Sequence, residues 1–154
     1  MDLHVLAVGR CREPALAGLV EEYRRRCRPW TVSLREVADR RALPPARQPD
    51  AEAALLLEAV PGGAVLVALD GRGEDLTSEA FAARLGRWRD GGERAVAFAI
   101  GGPEGLGDAI VGRAALRLAL GRMTWPHQLV RVMLAEQVYR ASTILAGHPY
   151  HRGA

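Results

Sequence analysis

The sequence contains no lysine, because all 21 basic side chains of this 154-residue chain are arginines. A Walker phosphate loop needs a lysine after its glycines, so this absence excludes a P-loop nucleotide-binding protein. No apolar run approaches the ~20 residues that a membrane-spanning helix needs, and we expect no membrane segment. Residues 1–4 lack the basic n-region of a signal peptide, and we therefore expect a cytoplasmic protein.

Cysteine and metal-ligand patterns are scarce as well. Cys11 and Cys27 form neither a CxxC pair nor a zinc-ligand spacing. We expect both to be free thiols, because disulfides are rare in a reducing compartment. His148 and His151 lie close together, but two histidines without a third ligand do not define a metal site. We therefore predict no bound metal.

The net charge of +3 permits a nucleic-acid partner but does not require one. Arginines crowd the segment 24–28, which contains Arg24, Arg25, Arg26 and Arg28. Such a run is typical of a solvated helix end. A patch for an RNA backbone is the alternative, because arginine binds phosphate through two hydrogen bonds at once.

Strand and helix patterns alternate along the chain. Short apolar runs predict strands at 3–8, 31–37, 64–69, 94–100 and 114–120. Helical spacing predicts helices at 14–27, 51–60, 108–112 and 126–146, and one more that Thr77 or Ser78 caps. Residues 42–49 and 70–73 are predicted loops. This alternation predicts a single α/β domain over residues 1–154, with a mainly parallel sheet and helices on both faces.

A glycine-rich turn, residues 101–107, directly follows the predicted buried strand at 94–100. In open α/β sheets, ligands bind at the edge where such turns lie. Gly105 and Gly107 can adopt positive φ at little cost. A dinucleotide fingerprint is excluded, because its third glycine position holds Pro103 or Glu104. A tight turn without a ligand remains the alternative interpretation.

Three loops are predicted at this edge of the sheet: 70–73, 101–107 and 121–126. Together they predict a pocket for a small, partly apolar ligand. Met123 and Trp125 in the third loop suit an adenine ring, or else pack in the core against the last helix. Near the C-terminus, beyond a helix that Gly147 is expected to cap, Tyr150 suits base stacking and Arg152 suits phosphate, which favours an RNA substrate.

The sequence also resembles the RlmH family over essentially its whole length. These are small SPOUT methyltransferases that methylate N3 of a pseudouridine in large-subunit (23S) ribosomal RNA. The opening LAVG at 6–9 also matches. Four motifs in the family's order and spacing carry the resemblance: IGGPEG at 100–105, MTWPHQLVR at 123–131, EQVYRA at 136–141 and HPYHR at 148–152.

The resemblance implies a fold, a methyl donor and an assembly. The fold is a SPOUT-type α/β fold with a trefoil knot in the C-terminal half, which fold rules alone do not predict. The donor is S-adenosylmethionine, and the assembly is a homodimer with its sites at the interface. The family's cofactor positions fall on the three loops predicted above, at Leu69, Gly101, Leu120, Gly121, Arg122, Met123, Thr124 and Trp125.

The catalytic group that we expect is His151 with Tyr150 and Arg152. N3 of a pseudouridine must lose its proton before it accepts a methyl group, and a neutral imidazole near pH 7 can take that proton. An alternative role for His151 is contact with RNA alone. Glu136 is a second candidate base, although it also suits an ion pair with Arg140 one helical turn later.

Arg131 and Arg140 are expected to hold phosphate or to cross the dimer interface. The expected partners are a second copy of the chain and the ribosome, with no DNA. Three other functions stay open at this stage. They are a SPOUT enzyme acting on another RNA such as a transfer RNA, a non-catalytic RNA-binding module, and a small nucleotide-dependent oxidoreductase or hydrolase.

Overall fold

In the computed structural model, which describes residues 1–39, 41 and 43–150, five strands and five α-helices alternate. The strands are β1 Asp2–Val8, β2 Thr31–Val37, β3 Val65–Asp75, β4 Ala95–Ile100 and β5 Leu116–Ala119. The helices are α1 Pro14–Arg26, α2 Gln48–Ala59, α3 Ser78–Asp90, α4 Asp108–Arg113 and α5 His127–Leu145. The sheet has the order β2-β1-β4-β3-β5, and all neighbouring strands are parallel. The predicted parallel α/β sheet is therefore confirmed.

The central strands bury side chains on both faces of the sheet. On one face, Leu3 of β1 and Phe98 of β4 belong to an apolar cluster with residues of α3 and α5. On the other face, Leu6 of β1 and Ala99 of β4 pack with residues of α2 and α4. Strands that are covered on both faces are continuously apolar, which is the pattern that the sequence shows. The prediction of helices on both faces is confirmed, whereas the knot stays a prediction from the resemblance.

The strand β3 does not end at Leu69 as predicted. Leu69 and Glu74 both pair with Leu118 of β5, so residues 70–73 leave the ladder and the strand then resumes. A Cβ atom on Gly73 would lie 2.5 Å from the carbonyl oxygen of Arg117, so only glycine fits this approach. The predicted loop is thus a bulge inside a longer strand. The turn residues of this bulge can be recognised in the local sequence, but the pairing of residues 74–75 with β5 cannot.

Two further local predictions are wrong in detail. The loop predicted over 42–49, whose first residue lies outside the described part, contains a 3₁₀ turn and the start of α2 at Gln48. Pro49 fits there because the first turn of a helix needs no N–H donor from it. Gly107 has a φ of −69° and not a positive value. Glycine is required at this position because there is no room for a side chain: a Cβ atom would lie 2.5 Å from the carbonyl oxygen of Pro49.

A fully buried arginine joins α5 to the sheet. Arg131 donates from Nη2 to the carbonyl oxygens of Val8 at 2.6 Å and Gly9 at 2.8 Å. Its Nη1 donates to Oε1 of Glu36 at 2.7 Å. The same oxygen accepts the backbone N–H of Cys11 at 2.7 Å. These bonds correct the expectation that Arg131 holds phosphate, because every described partner of its guanidinium lies within the fold.

We expect the substitution Arg131→Gln to destabilise the fold by about 3 kcal/mol, because it removes a buried charge from its carboxylate and leaves carbonyl acceptors without a donor. Urea unfolding at neutral pH measures this loss. Arg89→Gln is the matched control, since Arg89 pairs with Asp90 at an exposed site. Equal unfolding midpoints for the two variants would contradict the structural role of Arg131.

Candidate active site

A cavity opens at the carboxyl ends of β3, β4 and β5, beside the first turn of α5. Its volume of about 540 Å³ lies within the range of small-molecule sites. The three loops predicted from the sequence all contribute to its wall. So do all eight residues that the resemblance places at a cofactor: Leu69, Gly101, Leu120, Gly121, Arg122, Met123, Thr124 and Trp125.

The glycine-rich turn after β4 forms one wall through close backbone contact. A Cβ atom on Gly101 would lie 2.5 Å from the carbonyl oxygen of Gly105, so the turn folds back on itself only with glycine there. Gly105 has a φ of +86° and donates its N–H to the Gly102 carbonyl at 3.0 Å. Behind the turn, the Glu52 carboxylate lies close to Gly102, where a Cβ atom would be 3.0 Å from Oε2, and burial raises the pKa of that carboxyl.

The segment between β5 and α5 forms a second wall. Gly121 has a φ of +92°, a backbone conformation that favours glycine. The indole N–H of Trp125 then donates to the carbonyl of Leu120 at 3.0 Å and closes the segment. Met123 is 73% exposed and Trp125 is 38% exposed. Core packing, the alternative role for these two side chains, is therefore wrong, and both offer apolar surface at the cavity.

The bulge in β3 brings fixed charges to the cavity. Asp70 accepts the backbone N–H of Arg72 at 2.9 Å and Nη2 of Arg117 at 2.8 Å. Burial favours a higher pKa for Asp70, but these hydrogen bonds outweigh it and lower the pKa below the ordinary value. Asp70 is thus an anion at neutral pH. With Glu104 and Arg122, the cavity carries both signs of charge.

His127 lines the cavity from the first residue of α5, and the sequence analysis did not select it. Burial, and then the positive charge of Arg131, lower the pKa of its imidazole. The ring is therefore mostly neutral near pH 7. Asp70 was missed as well. A polar residue next to a strand end or helix start at this edge of the sheet is the signal that identifies both.

The C-terminal segment, which we define as residues 146–150, folds back onto α5. Gly147 has a φ of +68°, and the N–H of His148 reaches the Thr143 carbonyl at 2.9 Å, which confirms the predicted helix cap. The Tyr150 ring lies 4.7 Å from that of Tyr139, measured between centroids. Burial raises the pKa of Tyr150 to about 12, so its hydroxyl stays protonated at neutral pH. His151 and Arg152, the other expected catalytic residues, lie outside the described residues.

Glu136 takes part in a local network on α5. It accepts Nη2 of Arg140 at 2.7 Å, so the predicted pair one helical turn apart is confirmed. The Tyr150 hydroxyl donates to the same carboxylate at 3.2 Å. The Arg140 guanidinium also lies 5.1 Å from the centre of the Tyr150 ring. The structure therefore places Glu136 and Arg140 at the base of the C-terminal segment.

Other kinds of site find no support in the part of the chain that the structure describes. Within residues 1–39, 41 and 43–150, no three histidine, cysteine or acidic side chains are grouped as metal ligands. Cys11 and Cys27 are both free, as predicted. None of the described helices has the length and apolar character needed to cross a membrane.

We expect Gly101→Ala to destabilise the protein by about 1–3 kcal/mol, because the new methyl group overlaps the turn that forms the cavity wall. Gly112→Ala is the control. A Cβ atom meets nothing within 4 Å at Gly112, and alanine favours the helix there. Thermal unfolding compares the two variants. A Gly101→Ala protein as stable as the control would show that the turn can relax around a side chain.

Comparison with known proteins identifies the family to which this chain belongs. Residues 1–151 match the family model described as "Predicted SPOUT methyltransferase". A "Ribosomal RNA large subunit methyltransferase H" of Rhodospirillum centenum is 56% identical over 152 residues, which cover 99% of both chains. Proteins of the same name from Paramagnetospirillum magneticum and Xanthobacter autotrophicus are each 51% identical, again over 99% of both chains. The chain therefore belongs to the SPOUT methyltransferase family, as its motifs predicted.

Proposed function

We propose that this protein transfers a methyl group from S-adenosylmethionine to N3 of a pseudouridine in large-subunit ribosomal RNA. One observation carries the proposal: the eight residues expected at the cofactor line a single cavity at the carboxyl edge of a parallel sheet. The family match and the names of the relatives support methyl transfer to ribosomal RNA. A ribosomal substrate also implies that the enzyme acts in the cytoplasm.

The residues of the cavity fit S-adenosylmethionine. Gly101 lets the turn fold back tightly on itself, and Gly121 leaves open space beside the backbone for a ligand that approaches closely. The exposed apolar surface of Met123 and Trp125 suits the adenine ring. The anionic Asp70 suits a ligand whose sulfonium and amino groups carry positive charge. We therefore assign the loops after β3, β4 and β5 to cofactor binding.

When bound, S-adenosylmethionine supplies an electrophilic methyl group. The main task of the protein is then to place the target nitrogen in line with that group, which is worth up to ~7–11 kcal/mol in favourable systems. We assign removal of the N3 proton to His151, and RNA contacts to Tyr150 and Arg152. The packing of Tyr150 on Tyr139 holds Tyr150 against α5.

We also propose that the active form is a homodimer. A second cavity of about 430 Å³ lies between α1, α3 and α5 and shares the wall residues Leu118, Leu120 and Gly121 with the first. Leu19, which is 41% exposed, and Met133 give it an apolar lining. A partner seated in this groove would lie directly beside the cofactor cavity. That position agrees with sites at a dimer interface.

Calorimetric titration with S-adenosylmethionine tests the cofactor assignment. We expect saturable binding by the wild-type protein and clearly weaker binding by Met123→Asp, which puts a charge at the apolar surface assigned to the adenine ring; Met123 is 73% exposed, so the fold should persist. Gly62→Asp is the matched control, because it adds the same charge on an exposed turn where a Cβ atom meets nothing within 4 Å. A folded wild-type protein that neither binds S-adenosylmethionine nor methylates ribosomes would refute the proposed function.

Transfer of labelled methyl groups identifies the substrate. We expect the label to enter large-subunit RNA, and mass spectrometry of its nucleosides to show N3-methylated pseudouridine. The test offers free ribosomal RNA, isolated large subunits, assembled ribosomes and transfer RNA in parallel. Label in transfer RNA alone would favour the other SPOUT substrate class. RNA affinity without cofactor binding would favour a non-catalytic RNA-binding module.

A further inference from the structure

Arg26, the last residue of α1, lies among three tyrosine rings. Its guanidinium carbon is 4.4 Å from the centre of the Tyr139 ring, 5.7 Å from that of Tyr150 and 5.9 Å from that of Tyr23. Its Nη2 also donates to the Tyr139 hydroxyl at 3.0 Å. One cation therefore contacts α1, α5 and the C-terminal segment at the same time.

This arrangement depends on the shape of the arginine side chain. A guanidinium can lie near aromatic rings as a cation and donate hydrogen bonds from its edge, and Arg26 does both. While Nη2 binds Tyr139, Nη1 donates to Glu22 at 3.2 Å. A lysine ammonium keeps the positive charge but cannot reproduce the contact with the rings and the two divergent donors to Tyr139 and Glu22 together.

The neighbouring arginines do not share these contacts. Arg25 has 71% of its side chain exposed and pairs only with Glu21, at 3.7 Å, among the described residues. Arg24 binds the Glu21 carboxylate and the Val32 carbonyl. The arginine run is therefore not uniform, because Arg26 alone turns toward the aromatic cluster and the C-terminal segment.

We propose that Arg26 is a positioning residue for RNA methylation, which holds the C-terminal segment in place through its contacts with the Tyr139 and Tyr150 rings. The proposal rests on the proposed function, in which the residues that follow Tyr150 act on the RNA. Arg26 lies outside the lining of the cofactor cavity. Its loss should therefore slow methyl transfer without changing cofactor binding.

The main alternative is that the arginine run simply attracts the RNA backbone. Under that reading, removal of any one of these charges weakens RNA binding by a similar amount and leaves the rate at saturating RNA unchanged. Arg26→Gln and Arg25→Gln remove the same charge from adjacent residues. Comparison of these two variants therefore separates positioning from general electrostatic attraction.

The experiment measures the cofactor dissociation constant, the single-turnover rate at saturating RNA and the RNA concentration at half-maximal rate. For Arg26→Gln we expect the single-turnover rate to fall by about tenfold, equivalent to about 1.4 kcal/mol, with the cofactor constant unchanged. Arg26→Lys should show most of this loss, although it keeps the charge. Arg25→Gln should keep the wild-type rate.

A double-substitution cycle tests whether Arg26 acts through the segment. If it does, Arg26→Gln adds little to the loss caused by Tyr150→Ala, because the two residues belong to one contact. Additive losses would overturn the proposal. A wild-type rate in Arg26→Gln, or equal effects of Arg25→Gln and Arg26→Gln, would also overturn it.

Hydrogen exchange of the peptide that contains Tyr150 provides a readout independent of activity. We expect faster exchange in Arg26→Gln than in Arg25→Gln, because Tyr150 loses its contact with the Arg26 guanidinium. Unchanged exchange would overturn the positioning role even in an active enzyme. If the two variants differ in exchange as expected but the wild-type protein methylates no RNA, the proposed function is refuted and the positioning contact is not.

Discussion

The guanidinium of Arg131 occupies the point where the last helix meets the carboxyl ends of β1 and β2. Buried carbonyl groups at the end of a strand need donors, and Arg131 supplies them to Val8 and Gly9 while it neutralises Glu36. The helix anchored in this way carries His127 at the cavity and leads to Tyr150 at its other end. One buried cation thus anchors the helix that links the cavity to the C-terminal segment.

Close backbone contact, more than side-chain chemistry, shapes the cavity. Gly101 fits because a side chain there would overlap the turn, and Gly121 fits because its φ is positive. Charged and polar groups, notably Asp70 and His127, also line the cavity. A site of this kind suits a methyl transfer, in which placement of two reactants contributes more than acid–base chemistry does.

Local patterns predicted a large part of this structure. The bounds predicted for β2, 31–37, agree with the structure because alternation of side chains is visible within a few residues. The three cavity loops were also found, since each combines a buried strand with turn residues. The end of β3 was missed because the pairing of Glu74 with Leu118 connects segments far apart in the chain. Nothing in the local sequence of residues 70–75 records that pairing.

The sequence by itself determined the order of strands and helices, the glycine turn at the ligand-binding edge and, through its motifs, the family. Only the tertiary structure decided that Arg131 is buried, that Asp70 and His127 line the cavity and that Tyr150 packs beside Arg26. The physical reason is distance along the chain. Arg131 bonds to residues 95 and 122 positions away, and the free energy of such contacts depends on the assembled core and not on any local pattern of residues.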